Sequence, residues 1–200
     1  IVRGLELAAT GADIVDIGGE STRPGAQRIS VDEECSRVIP VVTALAEHGV
    51  YVSIDTMRAD VAAAALGAGA GLVNDISGGK ADPGILPVVA RSEAPFILMH
   101  WRGPSNIMAT LTDYDDVARD VAAEISAQVE VVVGAGIERG RIAIDPGIGF
   151  AKTPEQNWPI LRELDVLDCG KVRHESTVLC NVRDCRTTDR GSRGTIWPFP

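Results

Sequence analysis

Five times along this chain a short apolar, β-branched run stops at a residue that can carry charge or a hydrogen bond. "DIVDIGG", "VSIDT", "GLVNDIS", "FILMH" and "IAIDPG" end their apolar stretches at Asp16, Asp55, Asn74-Asp75, His100 and Asp145. Between them lie longer Ala-rich amphipathic stretches, so the apolar period switches repeatedly between two and about 3.6. Repeated βα units imply a parallel sheet, because each helix carries the chain back to the edge where the next strand starts. All strands of such a sheet point the same way. Their carboxyl ends share one rim, which is where open α/β sheets and closed βα barrels alike bind ligands.

The pattern predicts strands over Asp13–Ile17, Val50–Asp55, Gly71–Ile76, Phe96–His100 and Arg141–Asp145. It predicts helices over residues 2–10, Val31–His48, Ala59–Ala68, Pro83–Arg91, Tyr114–Gly134 and Pro154–Leu164, with C-caps at His48-Gly49, Leu66-Gly67 and Val133-Gly134. An open doubly wound sheet and a closed (β/α)8 barrel both fit this alternation. A dinucleotide fingerprint needs its glycines between a strand and the helix it feeds, whereas "GAGAG" at 67–71 ends a helix and leads into a strand. It reads as a flexible connector. Asn74 and Asp75 are neighbours in a strand and point to opposite faces, so only one of them can enter a shared pocket. Taken singly, any strand-end Asp could instead cap a turn, and His100 could be a satisfied core histidine.

Composition narrows the partners. A net charge of −9 and a pI near 4.8 argue against nucleic acid or an anionic membrane, since little is basic enough to displace counterions. No run approaches a membrane-spanning length of about 18 apolar residues, and the first residues lack the basic and apolar regions of a secretion signal. The expectation is a cytoplasmic chain. Cys35, Cys169, Cys180 and Cys185 have no C-x-x-C spacing and read as free thiols rather than a zinc or redox site.

Carboxylates and a carboxamide around an apolar hole suit a ligand rich in N–H donors, such as a fused heterocycle with an amino-pyrimidinone edge. The loop "DIGGESTRPG" at 16–25 offers something else. Its glycines allow close backbone approach, and Thr22 and Arg23 supply hydroxyl and guanidinium donors to an anion.

In this order, "DIGGESTRPG", "SIDT" (53–56), "VNDISGG" (73–79), "ILMH" (97–100) and "DPGIGF" (145–150) resemble dihydropteroate synthase, the folate-pathway enzyme that is the sulfonamide target. The resemblance covers roughly residues 1–167 and implies a (β/α)8 barrel. It implies condensation of 6-hydroxymethyl-7,8-dihydropterin diphosphate with 4-aminobenzoate, diphosphate release and assistance from Mg2+. By matching motif, Asp55, Asn74 and Asp145 would hold the pterin edge, with Asp145 the deepest, and Met99 and Phe150 would pack near the ring. Plain core packing is the competing reading of those last two. Thr22, Arg23 and Pro24 would belong to a mobile loop over the diphosphate and the aminobenzoate. Asp55, Asp145 and Arg23 would carry the catalytic step, in which diphosphate departs and the arylamine attacks the pterin methylene.

The chain also departs from the family. The family's first strand, whose Asn helps bind Mg2+, finds no match in these residues, and the expectation is that the family's metal ligand has no counterpart here. The G-x-S-R-K segment whose Lys contacts pterin does not follow Leu167 either. Residues 169–200 hold three of the four cysteines, six Lys or Arg and three Asp or Glu, without an amphipathic period. The expectation is a partial barrel domain over 1–167, lacking strands one, seven and eight, and an atypical tail over 168–200 that is translated from a shifted frame or disordered, with a divergent but folded extension as the competing reading. Such a barrel is expected to be poorly stable and weakly active. The alternative function is a non-catalytic pterin-binding relative. Another pterin-using barrel, such as a methyltransferase domain, is disfavoured by the S-T-R-P-G loop. The family is usually dimeric, but the helices that would pair fall in the missing part, and no oligomeric state is assigned.

Overall fold

A computed structural model describes residues 1–21 and 27–167 of the chain. Among them, helix α1 (Val2–Ala9) precedes five alternations: β1 (Val15–Gly18), α2 (Val31–Glu47), β2 (Val52–Asp55), α3 (Ala59–Gly67), β3 (Leu72–Asp75), α4 (Ile85–Ser92), β4 (Phe96–Met99), α5 (Val117–Gly134), β5 (Ile142–Asp145) and α6 (Pro154–Arg162). The five strands form one parallel sheet in the order β1-β2-β3-β4-β5. That order decides between the two architectures left open by the sequence. A doubly wound sheet reverses direction at a switch point, whereas these strands follow one another without reversal, as in a barrel wall.

Register determines what each face carries. Gly18 pairs with Asp55, Asp55 with Asn74, Asn74 with Ile97, and Met99 with Asp145. Partners across a parallel ladder share a face, and each strand alternates with period two. One face therefore bears Asp16, Ser53, Asp55, Asn74, Ile97, Met99 and Asp145. The other bears Val15, Ile17, Val52, Ile54, Val73, Phe96, Leu98, Ile142 and Ile144, all within the hydrophobic core or packed against it. Val38, Val42 and Leu45 of α2, Val61 and Ala65 of α3, Ile85 and Val89 of α4, and Val121, Ile125, Val129 and Val132 of α5 complete this core. Burial of that single face holds the helices on the sheet.

The predicted elements all form, with shifts at their ends that have local causes. α5 begins at Val117 rather than Tyr114, because the Asp116 side chain accepts from Arg119 N at 3.3 Å and caps the helix there. Asp120 accepts from the Asp115 and Asp116 amides and fixes the entering chain. Two predicted C-caps fall one glycine too early. Gly67 and Gly134 remain helical, and the left-handed positions are Gly69 (φ +106) and Gly136 (φ +99). After each of them the chain bonds back into the helix end, from Ala70 N to Ala65 O and from Ile137 N to Val132 O. Ala70 and Ile137 are themselves buried, giving each turn its apolar anchor. Gly49 (φ +75) caps α2 as predicted.

Phe96 is fully buried on the helix-facing side of β4. Phe96→Ala is expected to lower stability by ~3–5 kcal/mol in urea unfolding, through lost transfer energy and a residual cavity. Trp158→Ala, at a residue 66% exposed on α6, is expected to change it by less than about 0.5 kcal/mol.

Candidate active site

Four of the sequence-predicted residues meet on the polar face at the carboxyl ends of the strands. Asp55 ends β2 and Asn74 sits beside it in register on β3, while Met99 ends β4 beside Asp145 at the end of β5. Met99 is buried, and Asp55, Asn74 and Asp145 are half-buried. Gly18 lies close against this cluster, and a Cβ there would come within 3.2 Å of Asp55 Oδ2. Phe150 lies in the turn after β5 and is half-buried. Thr22, Arg23 and Pro24 lie outside the described residues, as do Cys169, Cys180, Cys185 and the predicted tail. Among the described residues Cys35 is a free thiol.

The five strand-end groups do not all reach the rim. Asp16 is exposed on the polar face two residues before the end of β1, and its Oδ2 accepts from Asn74 Nδ2 at 3.3 Å. Because an ionised carboxylate only accepts, this bond turns the amide so that Asn74 Oδ1 is presented as an acceptor. Asp75 faces the other way and is fully buried. Its Oδ1 accepts from Ser77 N and Ser77 Oγ at 2.8 and 2.7 Å, and its Oδ2 from Gly79 N at 2.7 Å. Burial pushes its carboxyl up, with these bonds pulling the other way. Asn74 is therefore the member of that pair on the face shared with Asp55 and Asp145.

His100 is the second group that leaves the rim. It is 2% exposed, with Nε2 at 2.9 Å from Glu124 Oε2 and Nδ1 at 3.0 Å from Lys152 Nζ. One residue of alternation after Met99 carries it to the other side of the strand, where a core histidine needs partners. Glu124, on α5, also receives the Arg102 guanidinium. Arg102 lies 3.7 Å over the Tyr114 ring, and the Tyr114 hydroxyl donates to the Ala151 carbonyl at 3.0 Å.

Asp145 is held differently from Asp75. Its Oδ1 accepts from Gly147 N at 2.7 Å. Burial pushes its carboxyl up, opposed by the Gly147 amide and by the charge of Lys152. Gly147 has φ +66, and a Cβ there would stand 2.7 Å from the His100 carbonyl and 3.3 Å from Met99 Cγ. Lys152, Glu124 and Arg102 were not singled out in the sequence. The signal for Lys152 was a lysine two residues beyond "DPGIGF" in a loop otherwise free of charge after Asp145.

On the β1 side, Glu20 pairs with Arg28 and Arg58, both at 2.9 Å. Arg58 also pairs with the buried Glu34 at 3.1 Å and donates to the Ile29 carbonyl. These bonds tie residues 20 and 28, on either side of the segment 22–26, to the α2 and β2 edge.

The geometry agrees with known proteins. A model of the pterin binding enzyme family matches residues 1–183. The dihydropteroate synthase of Mycobacterium leprae is 51% identical over 168 residues, covering 84% of this chain and 59% of its own length. The Xanthomonas albilineans dihydropteroate synthase solved with 4-aminobenzoic acid superposes with a TM-score of 0.77 at 41% identity, over 83% of this chain and 59% of that one. The Burkholderia cenocepacia enzyme solved with 7,8-dihydropteroate gives a TM-score of 0.75 at 41% identity, over 83% and 60%. The chain thus spans about three fifths of these relatives, and its sheet is an incomplete (β/α)8 barrel.

Burial and the Lys152 ammonium push the His100 imidazole down to about 4, against the opposing pull of Glu124. Unfolded, the same ring takes its proton near 6.5. The unfolded state then binds more protons between those values, so stability falls as pH drops from about 6.5 toward 4, by on the order of 3 kcal/mol. His100→Gln is expected to remove that part of the slope in urea unfolding measured from pH 7 to 4. Equal slopes in the two proteins would contradict a buried neutral imidazole.

Proposed function

The chain belongs to the pterin binding enzyme family, and from that premise we propose that it works as a dihydropteroate synthase. It would join 6-hydroxymethyl-7,8-dihydropterin diphosphate to 4-aminobenzoate, giving 7,8-dihydropteroate and diphosphate. The observation that carries this reading is the register that gathers Asp55, Asn74 and Asp145 on one face at the carboxyl ends of β2, β3 and β5. Two carboxylates and an amide oxygen form an acceptor set for the N–H groups of an amino-pyrimidinone edge, with Met99 beside them as an apolar wall.

In this reading Asp145 and Asp55 take charge-assisted bonds from the pterin ring, and Asn74 Oδ1 takes a third. As diphosphate departs, positive charge develops at the pterin methylene and spreads into the ring. Half-buried carboxylates beneath that ring stabilise the charge without having to reorganise. The arylamine nitrogen then attacks the methylene carbon and gives up a proton. Thr22, Arg23 and Pro24 are proposed, by motif, to close over the diphosphate and the aminobenzoate, and Phe150 to pack near the ring. The small, water-soluble substrates support a cytoplasmic setting, and among the described residues no helix is long and apolar enough to cross a membrane. The resemblance implies Mg2+, but among the described residues no three Asp, Glu, His or Cys side chains come together as a metal site. No step above is routed through the ion.

Calorimetry with 6-hydroxymethylpterin tests the site, and product formation from pterin diphosphate and 4-aminobenzoate tests the reaction. Asn74→Ala is expected to weaken pterin binding about tenfold with little change in the urea midpoint. Asp75→Ala, one residue away, is expected to leave the Ser77 and Gly79 donors buried and unpaired and to lower stability by about 3 kcal/mol. Unchanged pterin affinity in Asn74→Ala would refute the site assignment. Pterin binding without product would leave the non-catalytic reading.

A further inference from the structure

Lys152 Nζ lies 3.0 Å from each of three acceptors: His100 Nδ1, the Gly147 carbonyl and the Phe150 carbonyl. An ammonium has three protons to donate, and this arrangement uses all of them. The residue is only 8% exposed, so little room remains for water to substitute. His100 Nδ1 must then be the bare ring nitrogen, and Nε2–H donates to Glu124 Oε2 at 2.9 Å. From Glu124 the chain continues through Arg102 to the Tyr114 ring, and the Tyr114 hydroxyl returns to the Ala151 carbonyl. The circuit starts and ends in the eight residues that follow Ile144.

That segment needs such support. Gly147 and Gly149 have positive φ, and so does Ala151 at +50, a conformation that disfavours a residue with a Cβ. Asp145 Oδ1 is itself part of the turn through Gly147 N. Whatever fixes Gly147 therefore fixes the direction of the Asp145 carboxylate. The Lys152 charge also favours the ionised form of that carboxylate.

We propose that Lys152 and His100 are positioning residues for Asp145: wrapped around the buried ammonium, the 145–152 turn holds the Asp145 carboxylate charged and aimed at the pterin edge. The proposal rests on the reading of Asp145 as a pterin-holding residue. Its pH dependence involves every charged group facing this cluster. These are Asp145 on β5, His100 and Arg102 after β4, Glu124 and Asp120 on α5, Tyr114 before α5, and Lys80 after β3, whose ammonium reaches the Trp101 carbonyl at 3.1 Å.

The test uses the full chain and 6-hydroxymethylpterin, with affinity measured by calorimetry from pH 5 to 8. Lys152→Met is expected to weaken binding about tenfold at pH 7. It also moves the acid limb, where binding is lost as Asp145 takes a proton, to higher pH, because the charge opposing that protonation is gone. A purely structural lysine would lower affinity without moving the limb. Asp145→Asn is the companion variant. If it loses pterin affinity while Lys152→Met keeps both affinity and limb, the proposal fails on its own. If Asp145→Asn binds like the unmodified chain, the pterin reading of Asp145 fails and the proposal with it. Should Lys152→Met not fold, nitrogen NMR of the unmodified chain decides the matter. A bare Nδ1 and protonated Nε2 on His100 between pH 6 and 8 are expected; a protonated Nδ1 would leave Lys152 without its acceptor and overturn the proposal.

Discussion

The parallel register of five short strands is the constraint on which everything else depends. Four residues per strand leave only two positions per face, so each strand offers the site one or two side chains and the core the same number. Shifting any strand by one residue would exchange the two sets. Asp55 would enter the apolar layer among Val61, Ile85 and Val89, and Ile54 would replace it at the rim. Burying an unpaired carboxylate there is costly enough to exclude the slipped pairing. The same arrangement that makes the helix-facing layer apolar therefore also aligns the acceptors.

Position at a strand end does not determine what a carboxylate does. Asp75 and Asp145 are the last residues of β3 and β5 but lie on opposite faces of the sheet, and both accept from the amide two residues on, that of Ser77 or Gly147. Asp75 then spends its other oxygen on Gly79 N and accepts again from Ser77 Oγ, so its charge is consumed by its own turn. Asp145 gives one oxygen to its turn. The work that Asp75 does on the first turn is done on the second by Lys152, which holds the Gly147 and Phe150 carbonyls. Register puts Asp145 on the polar face and Asp75 on the other, and the lysine leaves the second Asp145 oxygen out of the turn's own bonding.

The sequence carried the architecture well, because apolar period and strand-end polarity are local properties. Asp55, Asn74, Met99 and Asp145 were legible as a group for that reason. His100 reads from sequence either as a rim group or as a satisfied core histidine, and the second reading is the one the structure gives, because alternation carries it past the edge into the core; a single strand end does not reveal whether its last residue is the inward or the outward one. The helix ends at Gly67 and Gly134 were misread because Gly-x-Gly offers two stops, and the choice between them depends on where Ala70 and Ile137 find buried contacts. Lys152 and Glu124 were missed for a different reason. They are 28 residues apart, and only the folding of α5 against the β5 turn brings both onto His100.

A buried lysine, imidazole and glutamate are an expensive way to stabilise a fold. Burial pushes the Lys152 ammonium down to about 8 and His100 to about 4, so each resists its charged form in the folded chain. Apolar residues of similar volume would commonly be neutral or better for stability. What they could not do is hold carbonyls. The turn after β5 places Gly147, Gly149 and Ala151 at positive φ and points two carbonyls inward, and the three protons of the Lys152 ammonium satisfy both while bonding a third partner. The ionic chain is thus best understood as stability exchanged for a fixed conformation of the turn that begins at Asp145.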